Sequence, residues 1–178
     1  RSTEMILGCD LEAQTMESLR VGSVRWSMKY FPEGQFTERA FKAAEIAAKA
    51  VLEEATPLFE RQLWDTAYGS SGTVGAVSDV LSASGWPQGL ITREGLDWLL
   101  DRLLKAQSAD RLKMESLKDD RRPVIGGGVS VLRAVFDLLT DEAWAAAGRA
   151  GANPSGAPVR EMIDQGIRFV VCGQSAAM

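Results

Sequence analysis

Short apolar runs alternate along the chain with apolar residues three or four positions apart, and the two patterns predict strands and helices respectively. Residues 3–7 and 16–24 are short apolar runs on either side of a turn around Gly8, so the chain is predicted to open with a β-hairpin. Residues 64–68 and 168–172 are two further short runs rich in strand formers. These runs predict four strands.

Helical spacing of apolar residues predicts four longer elements. Thr37 and Thr92 each offer a hydroxyl at the N-cap position of one of these helices. Pro57 either kinks the first helix or begins a second one that ends near Leu63. The apolar positions that define the four helices are Ala40, Ala44, Ala47 and Val51; Val74, Val77 and Leu81; Leu96, Leu99, Leu100 and Leu103; and Leu132, Val135, Phe136 and Leu139.

A glycine-rich turn joins a predicted strand to a predicted helix, and it consists of Gly69, Ser70, Ser71, Gly72 and Thr73. Such a turn has little side-chain bulk, so its backbone N–H groups can approach an anion at the helix N-terminus. Phosphate is the natural ligand, and Thr73 is also predicted to cap the helix. Taken alone, the motif favours a tight turn with a capped helix that binds no ligand.

Two other stretches each allow a binding and a structural interpretation. Gly126, Gly127 and Gly128 either bring the backbone close to a ligand or let a helix press against a neighbour, and packing is favoured. Arg121 and Arg122 either pair with phosphates or belong to a solvated charged face.

Composition excludes several classes of function. The 178 residues carry a formal net charge of −4, so there is no broad basic surface for duplex nucleic acid or an anionic membrane. The chain has no histidine, which removes imidazole acid–base chemistry and the commonest zinc ligand. No apolar run reaches the roughly 20 residues that a membrane span needs. The chain begins at Arg1 without a methionine, and we expect it to be part of a longer protein.

Several motifs, taken in order, resemble the exopolyphosphatase and guanosine pentaphosphate phosphohydrolase family. Ser2-Thr3-Glu4 resembles the end of the family's Asp-x-Gly-Gly-Gly-Ser-Thr-Glu loop. The segment at residues 22–25, followed by Phe31-Pro32, is similar to its Gly-x-Val-Arg and Phe-Pro segment. Residues 69–73 are similar to its Gly-x-Ser-Gly-Thr loop. Residues 120–129 resemble its Arg-containing segment before the last core helix.

This resemblance implies an α/β fold of the actin-like ATPase (ribonuclease H-like) type, with a mixed sheet and flanking helices. Residues 1–139 are expected to be the second, C-terminal domain of a two-domain phosphatase. Residues 140–178 are expected to form a divergent tail with a Gly/Pro-rich loop and then a strand. The implied reaction is metal-assisted hydrolysis of the terminal phosphoanhydride of polyphosphate or pppGpp, in the cytoplasm.

The resemblance also implies roles for particular residues. Glu4 matches the carboxylate that helps to hold Mg²⁺ or to orient water, and it is the predicted catalytic and metal-binding residue. The residues predicted to bind phosphate or nucleotide are Ser2, Thr3, Gly69, Ser70, Ser71, Gly72, Thr73 and Arg121. The expected partners are the substrate, an N-terminal actin-like domain and a second copy of the chain in a homodimer.

Two departures from the family pattern bear on activity. The loop aspartate and three glycines that should precede Ser2 are not in the sequence, and neither is the family's first domain. We therefore expect the isolated chain to be inactive, because the family's active site lies between its two domains. The alternative is a non-catalytic nucleotide-sensing or oligomerisation module with the same fold.

Overall fold

A four-stranded mixed sheet is the centre of the fold in the computed structural model, which describes residues 2–9, 12–139 and 169–174. The strands are β1 (Thr3–Cys9), β2 (Glu12–Leu19), β3 (Thr66–Gly69) and β4 (Phe169–Gln174). Their order across the sheet is β2-β1-β4-β3. Strand β1 is antiparallel to both of its neighbours, whereas β3 and β4 are parallel.

Five α-helices pack with this sheet in the described part of the chain. They are α1 (Ser23–Tyr30), α2 (Glu38–Leu52), α3 (Gly72–Ala83), α4 (Arg93–Ala106) and α5 (Ile125–Leu139). The predicted N-caps are confirmed, because the Thr37 hydroxyl accepts from the Ala40 N–H at 3.1 Å and Thr92 accepts from Gly95 at 3.1 Å. Pro57 lies in a short 3₁₀ segment, Glu53–Leu58, that follows α2, and a second 3₁₀ turn, Arg61–Leu63, comes after it.

Helix α1 corrects the prediction that residues 16–24 form one strand. Strand β2 ends at Leu19, and Val24 lies in α1. The start of α1 has no local sequence signal, because its N-cap is Gly22 and makes no side-chain capping hydrogen bond. Tertiary contacts stabilise the helix instead: Trp26 is buried and its indole N–H donates to the Ala44 carbonyl at 2.9 Å.

Close packing of α5 explains the three consecutive glycines. Helix α5 begins at Ile125, so the glycines form its first turn and are buried. A Cβ added to Gly127 would come within 3.0 Å of the Ser23 carbonyl oxygen and of the Ser27 backbone nitrogen. The Gly127 N–H donates to the Ser27 hydroxyl at 3.0 Å. The packing interpretation of this segment therefore agrees with the structure.

A network of ion pairs joins three helices. The Arg133 guanidinium in α5 donates to Glu45 of α2 at 2.6 Å and to Asp97 of α4 at 2.5 Å. Its side chain is only 8% exposed, so a partner is needed to keep the charge in a buried position. Asp137 extends the network by pairing with Lys49 and Arg93.

Strand β4 confirms the predicted final strand and gives it an inner position in the sheet. It pairs with β1 on one side and with β3 on the other, so these six residues complete the sheet that the earlier residues begin. Residues 140–168, where a loop or linker was predicted, lie outside the described part. The expected boundary between a domain at residues 1–139 and a tail at residues 140–178 therefore stays a prediction. Among the described helices, none combines the length and apolar character that crossing a membrane requires.

Candidate functional site

One end of the sheet brings the predicted site residues together. Glu4 lies at the start of β1 opposite Gly173 of β4, and Gly69 lies at the end of β3 opposite Cys172 of β4. Neighbouring strands are about 4.8 Å apart, so the backbones of Glu4 and Gly69 are about 10 Å apart at the same end of the sheet. The end of β4 lies between the two segments, so Glu4 and Gly69 flank Cys172 and Gly173 at this edge of the sheet.

The glycine-rich turn connects β3 to α3, as its sequence predicts. Ser70 is exposed, whereas Ser71 is the N-cap of α3, and its hydroxyl accepts from the Val74 N–H at 3.1 Å. The predicted cap, Thr73, is instead within the first turn of α3, where its side chain is buried against Gly128 of α5. The capping role therefore belongs to Ser71, because the helix begins one residue before Thr73.

Arg121 lies against the first residue of α3. A Cβ added to Gly72 would be 2.7 Å from the Arg121 Nη1 and 3.0 Å from its Nη2. The guanidinium can approach the helix end this closely because residue 72 has no side chain. The Arg121 side chain is 40% exposed, and its ion pair with the neighbouring Asp120 is long, at 3.5 Å. The guanidinium therefore faces solvent beside the helix N-terminus.

This arrangement concentrates positive charge. The N-terminus of a helix carries a partial positive charge, which an acidic residue in the first turn commonly offsets. The first turn of α3 contains no acidic side chain, and Arg121 adds a full positive charge at the same place. A phosphate here would accept from backbone N–H groups and from the guanidinium together.

Glu4 is surrounded by hydroxyl groups. Its Oε1 accepts from Ser2 at 2.5 Å and lies 3.5 Å from the hydroxyl of Ser18, the residue directly opposite it on β2. Thr3 is different, because its side chain is fully buried and its hydroxyl donates to the Val21 carbonyl at 2.7 Å. The Thr3 hydroxyl thus supports the fold, whereas Glu4 and Ser2 lie at the end of the sheet.

Tyr68 precedes the glycine-rich turn on β3. Burial raises the pKa of the Tyr68 phenol, and a hydrogen bond with Thr66 partly opposes that rise. The hydroxyl therefore remains protonated at neutral pH.

The described residues contain no group of three or more His, Cys, Asp or Glu side chains that could enclose a metal ion. A single carboxylate still suits Mg²⁺, which commonly binds one or two carboxylates and completes its shell with water and substrate phosphate oxygens. Glu4 supplies such an oxygen ligand at the end of the sheet. Glu4 is therefore the side chain at this end that would hold such an ion, with substrate oxygens and water as its other ligands.

Comparison with known proteins places these features in a family. Residues 1–151 match the Ppx/GppA phosphatase family. The chain belongs to this family. A guanosine-5'-triphosphate,3'-diphosphate pyrophosphatase of Aeromonas hydrophila is 35% identical over 149 residues, which are 84% of this chain and 30% of that protein. The protein of the same name from Vibrio parahaemolyticus is 35% identical over 164 residues, which are 92% of this chain and 32% of the relative. The chain thus spans about a third of the length of these relatives.

Solved structures of Ppx/GppA proteins share the fold. The type II variant of the Aquifex aeolicus Ppx/GppA phosphatase matches with a TM-score of 0.61 at 15% identity, over 96% of this chain and 49% of that one. An exopolyphosphatase from Cytophaga hutchinsonii matches with a TM-score of 0.60 at 13% identity, over 98% of this chain and 51% of that one. These matches confirm the predicted actin-like α/β fold for the Ppx/GppA chain.

Two features of the site were not predicted. Ser18 was not singled out, and it lies opposite Glu4 only because the strand pairing shifts register between Leu7 and Gly8. The backbone at the end of β4 lies between the two predicted loops, and no local signal could have shown it, because that pairing joins the two ends of the chain. The resemblance singled out Glu4, Gly72 and Arg121, which all lie toward this end, and their roles stay predictions.

Proposed function

We propose that this chain is the second actin-like domain of a hydrolase that releases the terminal phosphate of pppGpp or inorganic polyphosphate. The observation that carries the proposal is the Arg121 guanidinium beside Gly72 at the N-terminus of α3. Family membership and the names of the relatives agree with it.

Phosphoryl transfer depends mainly on positioning and charge neutralisation. In the proposed reaction, a water oxygen forms a bond to the terminal phosphorus while the bridging P–O bond breaks, and the shortened phosphate chain leaves. The backbone of residues 69–73 and the Ser70 hydroxyl hold the phosphoryl oxygens, and Arg121 offsets their charge. Glu4, oriented by Ser2, holds the metal or orients the attacking water.

Mg²⁺, held by Glu4 and the substrate phosphates, would supply further charge neutralisation. The chain spans about a third of the relatives' length, and in this proposal it forms one side of the cleft. We propose that catalysis needs the remaining length. The 178-residue chain alone should then release no phosphate, and the longer protein that contains it should.

Displacement of the Arg121 guanidinium tests the anion site. Arg121→Ala removes the charge, whereas Gly72→Ala keeps it and places a methyl group where the guanidinium lies. Lys105→Ala is the control, because it removes an exposed cation of α4 whose ion-pair partner is Asp101 of the same helix. The readout is calorimetric binding of inorganic tripolyphosphate to the longer protein, with phosphate release measured in parallel.

A hydrogen bond to a charged group contributes about 1.5–3 kcal/mol, so Arg121→Ala should weaken tripolyphosphate binding roughly tenfold or more. Gly72→Ala should also weaken tripolyphosphate binding. It should not lower the melting temperature, because alanine is a better helix former than glycine. Unchanged binding in both variants would contradict the proposed site. Binding without phosphate release would favour the non-catalytic sensing module.

A further inference from the structure

Helix α2 exposes an apolar side chain in the middle of its outer face. The described part of the chain exposes four large apolar side chains, and Ile46 is the one on this fifteen-residue helix, with 58% of its surface accessible. The opposite face of α2 lies in the core, where Phe41, Ala44, Ala48 and Leu52 are buried. A single exposed isoleucine is common on protein surfaces, so the residues around it decide whether this face has a partner.

The residues around Ile46 repeat with the spacing of a helix–helix contact. Five exposed residues follow each other at intervals of four, three, four and three positions, namely Arg39, Ala43, Ile46, Ala50 and Glu53. That spacing places them in one row along the helix. Glu53 is the C-cap residue and has helical φ and ψ, so the row continues to the end of α2. Because the two alanines are small, a second helix can come close enough to contact Ile46.

Opposite charges lie at the two ends of this row. Arg39 and the nearby Lys42 are exposed toward the N-terminus of α2. Glu53 and Glu54 are exposed at its C-terminal end. The helix dipole favours the reverse order, with acidic residues first and basic residues last, so it does not account for these four charges. Among the described residues, none of the four forms an ion pair.

The row is complementary to itself when it is reversed. Arg39 and Glu53 are each seven residues from Ile46. An antiparallel second copy of α2, centred on Ile46, therefore places Arg39 of each copy opposite Glu53 of the other, with the two isoleucines in contact at the two-fold axis. A parallel copy would instead bring like charges together. The charges thus favour a second, antiparallel copy of the chain as the partner of this face.

We propose that the outer face of α2 is the interface of a symmetric dimer, with Ile46 at its centre and an ion pair between Arg39 and Glu53 on each side. This inference is independent of the proposed function. Helix α2 is about 22 Å long, and one pair of helices of this length is at the small end of protein interfaces. The dimer should therefore be weak, and it should weaken further at high salt because its ion pairs are exposed to solvent.

Sedimentation velocity of the longer protein, over a range of concentrations up to the millimolar range, measures the dimer. Ile46→Glu should raise the dimer dissociation constant roughly tenfold or more, because two like charges would meet at the two-fold axis. Met28→Glu is the matched control, since it introduces the same charge at an exposed apolar residue of another helix, α1. The control should leave the dissociation constant unchanged.

Charge reversal tests the antiparallel pairing itself. Arg39→Glu and Glu53→Arg each place like charges opposite one another in a homodimer, so each variant alone should associate more weakly than the wild-type protein. An equimolar mixture of the two should form heterodimers, because both ion pairs are then restored with reversed sign. Both substitutions agree with the helix dipole and should not lower the melting temperature.

Three results would overturn this interface. They are a wild-type protein that stays monomeric at every concentration, a dimer that Ile46→Glu leaves intact, and a mixture of the two charge-reversal variants that associates no better than either alone. A lower melting temperature of Ile46→Glu with no change in association would mean that another part of the longer protein covers this face, which also contradicts the dimer.

Discussion

Replacing Gly127 by alanine tests how closely α1 and α5 pack. The new methyl group would lie within 3.0 Å of two backbone atoms of α1, the carbonyl oxygen of Ser23 and the nitrogen of Ser27. Backbone atoms cannot rotate away as a side chain can, so the helices must separate. Gly75→Ala is the matched control, because it makes the same change within a helix at a position where a Cβ meets nothing within 4 Å.

The two substitutions should change the free energy of unfolding in opposite directions. Overpacking costs about 1–3 kcal/mol, and separating the helices also weakens the hydrogen bond from Gly127 to Ser27, which contributes about 1 kcal/mol. Alanine recovers up to about 1 kcal/mol through its higher helix propensity. Gly127→Ala should therefore lower the free energy of unfolding by about 2 kcal/mol, and Gly75→Ala should raise it by about 0.5–1 kcal/mol.

Urea denaturation of both variants, followed by far-UV circular dichroism, measures this difference. A change of 1 kcal/mol corresponds to roughly 2–4 °C in melting temperature for a chain of this size, so thermal melts provide a second readout. Equal stability of the two variants would refute the close packing of α1 on α5. It would also remove the structural explanation for glycine at position 127.

Two further predictions concern ion pairs and pH. Arg133→Ala should destabilise the fold by about 3–5 kcal/mol in urea denaturation, because it leaves the largely buried Glu45 without its partner. Lys105→Ala breaks an exposed ion pair and should change stability by less than about 1 kcal/mol. A destabilisation of the same size in both variants would contradict the buried network. Burial raises the pKa of Tyr68, so the folded protein holds this proton more tightly than the unfolded chain does, and stability should fall as the pH rises past the ordinary tyrosine pKa. Absorbance titration of a Tyr30→Phe variant, which leaves Tyr68 as the only tyrosine, should give a midpoint above that of free tyrosine, and an ordinary midpoint would contradict the burial.

Local signals predicted the helices that carry their own caps. Thr37 and Thr92 mark the starts of α2 and α4 because each hydroxyl binds a backbone N–H within the same turn. Helix α1 was missed because it is stabilised by tertiary contacts with α2 and with α5, and the Ser27–Gly127 contact joins residues 100 positions apart. The position of Thr73 was also misjudged, since the preceding serine is an equally good cap and begins the helix earlier.

Predicting the site required two kinds of information, the family resemblance and the three-dimensional contacts. The resemblance brought Glu4 and Arg121 into one prediction although 116 residues separate them in the chain. Their spatial relation follows from the strand register and from the contact between Arg121 and Gly72, which no local pattern specifies.

The central claim is that Glu4 and the N-terminus of α3 form one half of a phosphoanhydride hydrolase site. The most direct measurement is the rate of phosphate release from pppGpp, with Mg²⁺, by the longer protein that contains this chain and by its Glu4→Gln variant. We expect release by the wild-type protein and a loss of roughly 10²-fold or more in kcat for the variant, because the carboxylate would act on the metal or the attacking water. A Glu4→Gln variant that releases phosphate at the wild-type rate would contradict it.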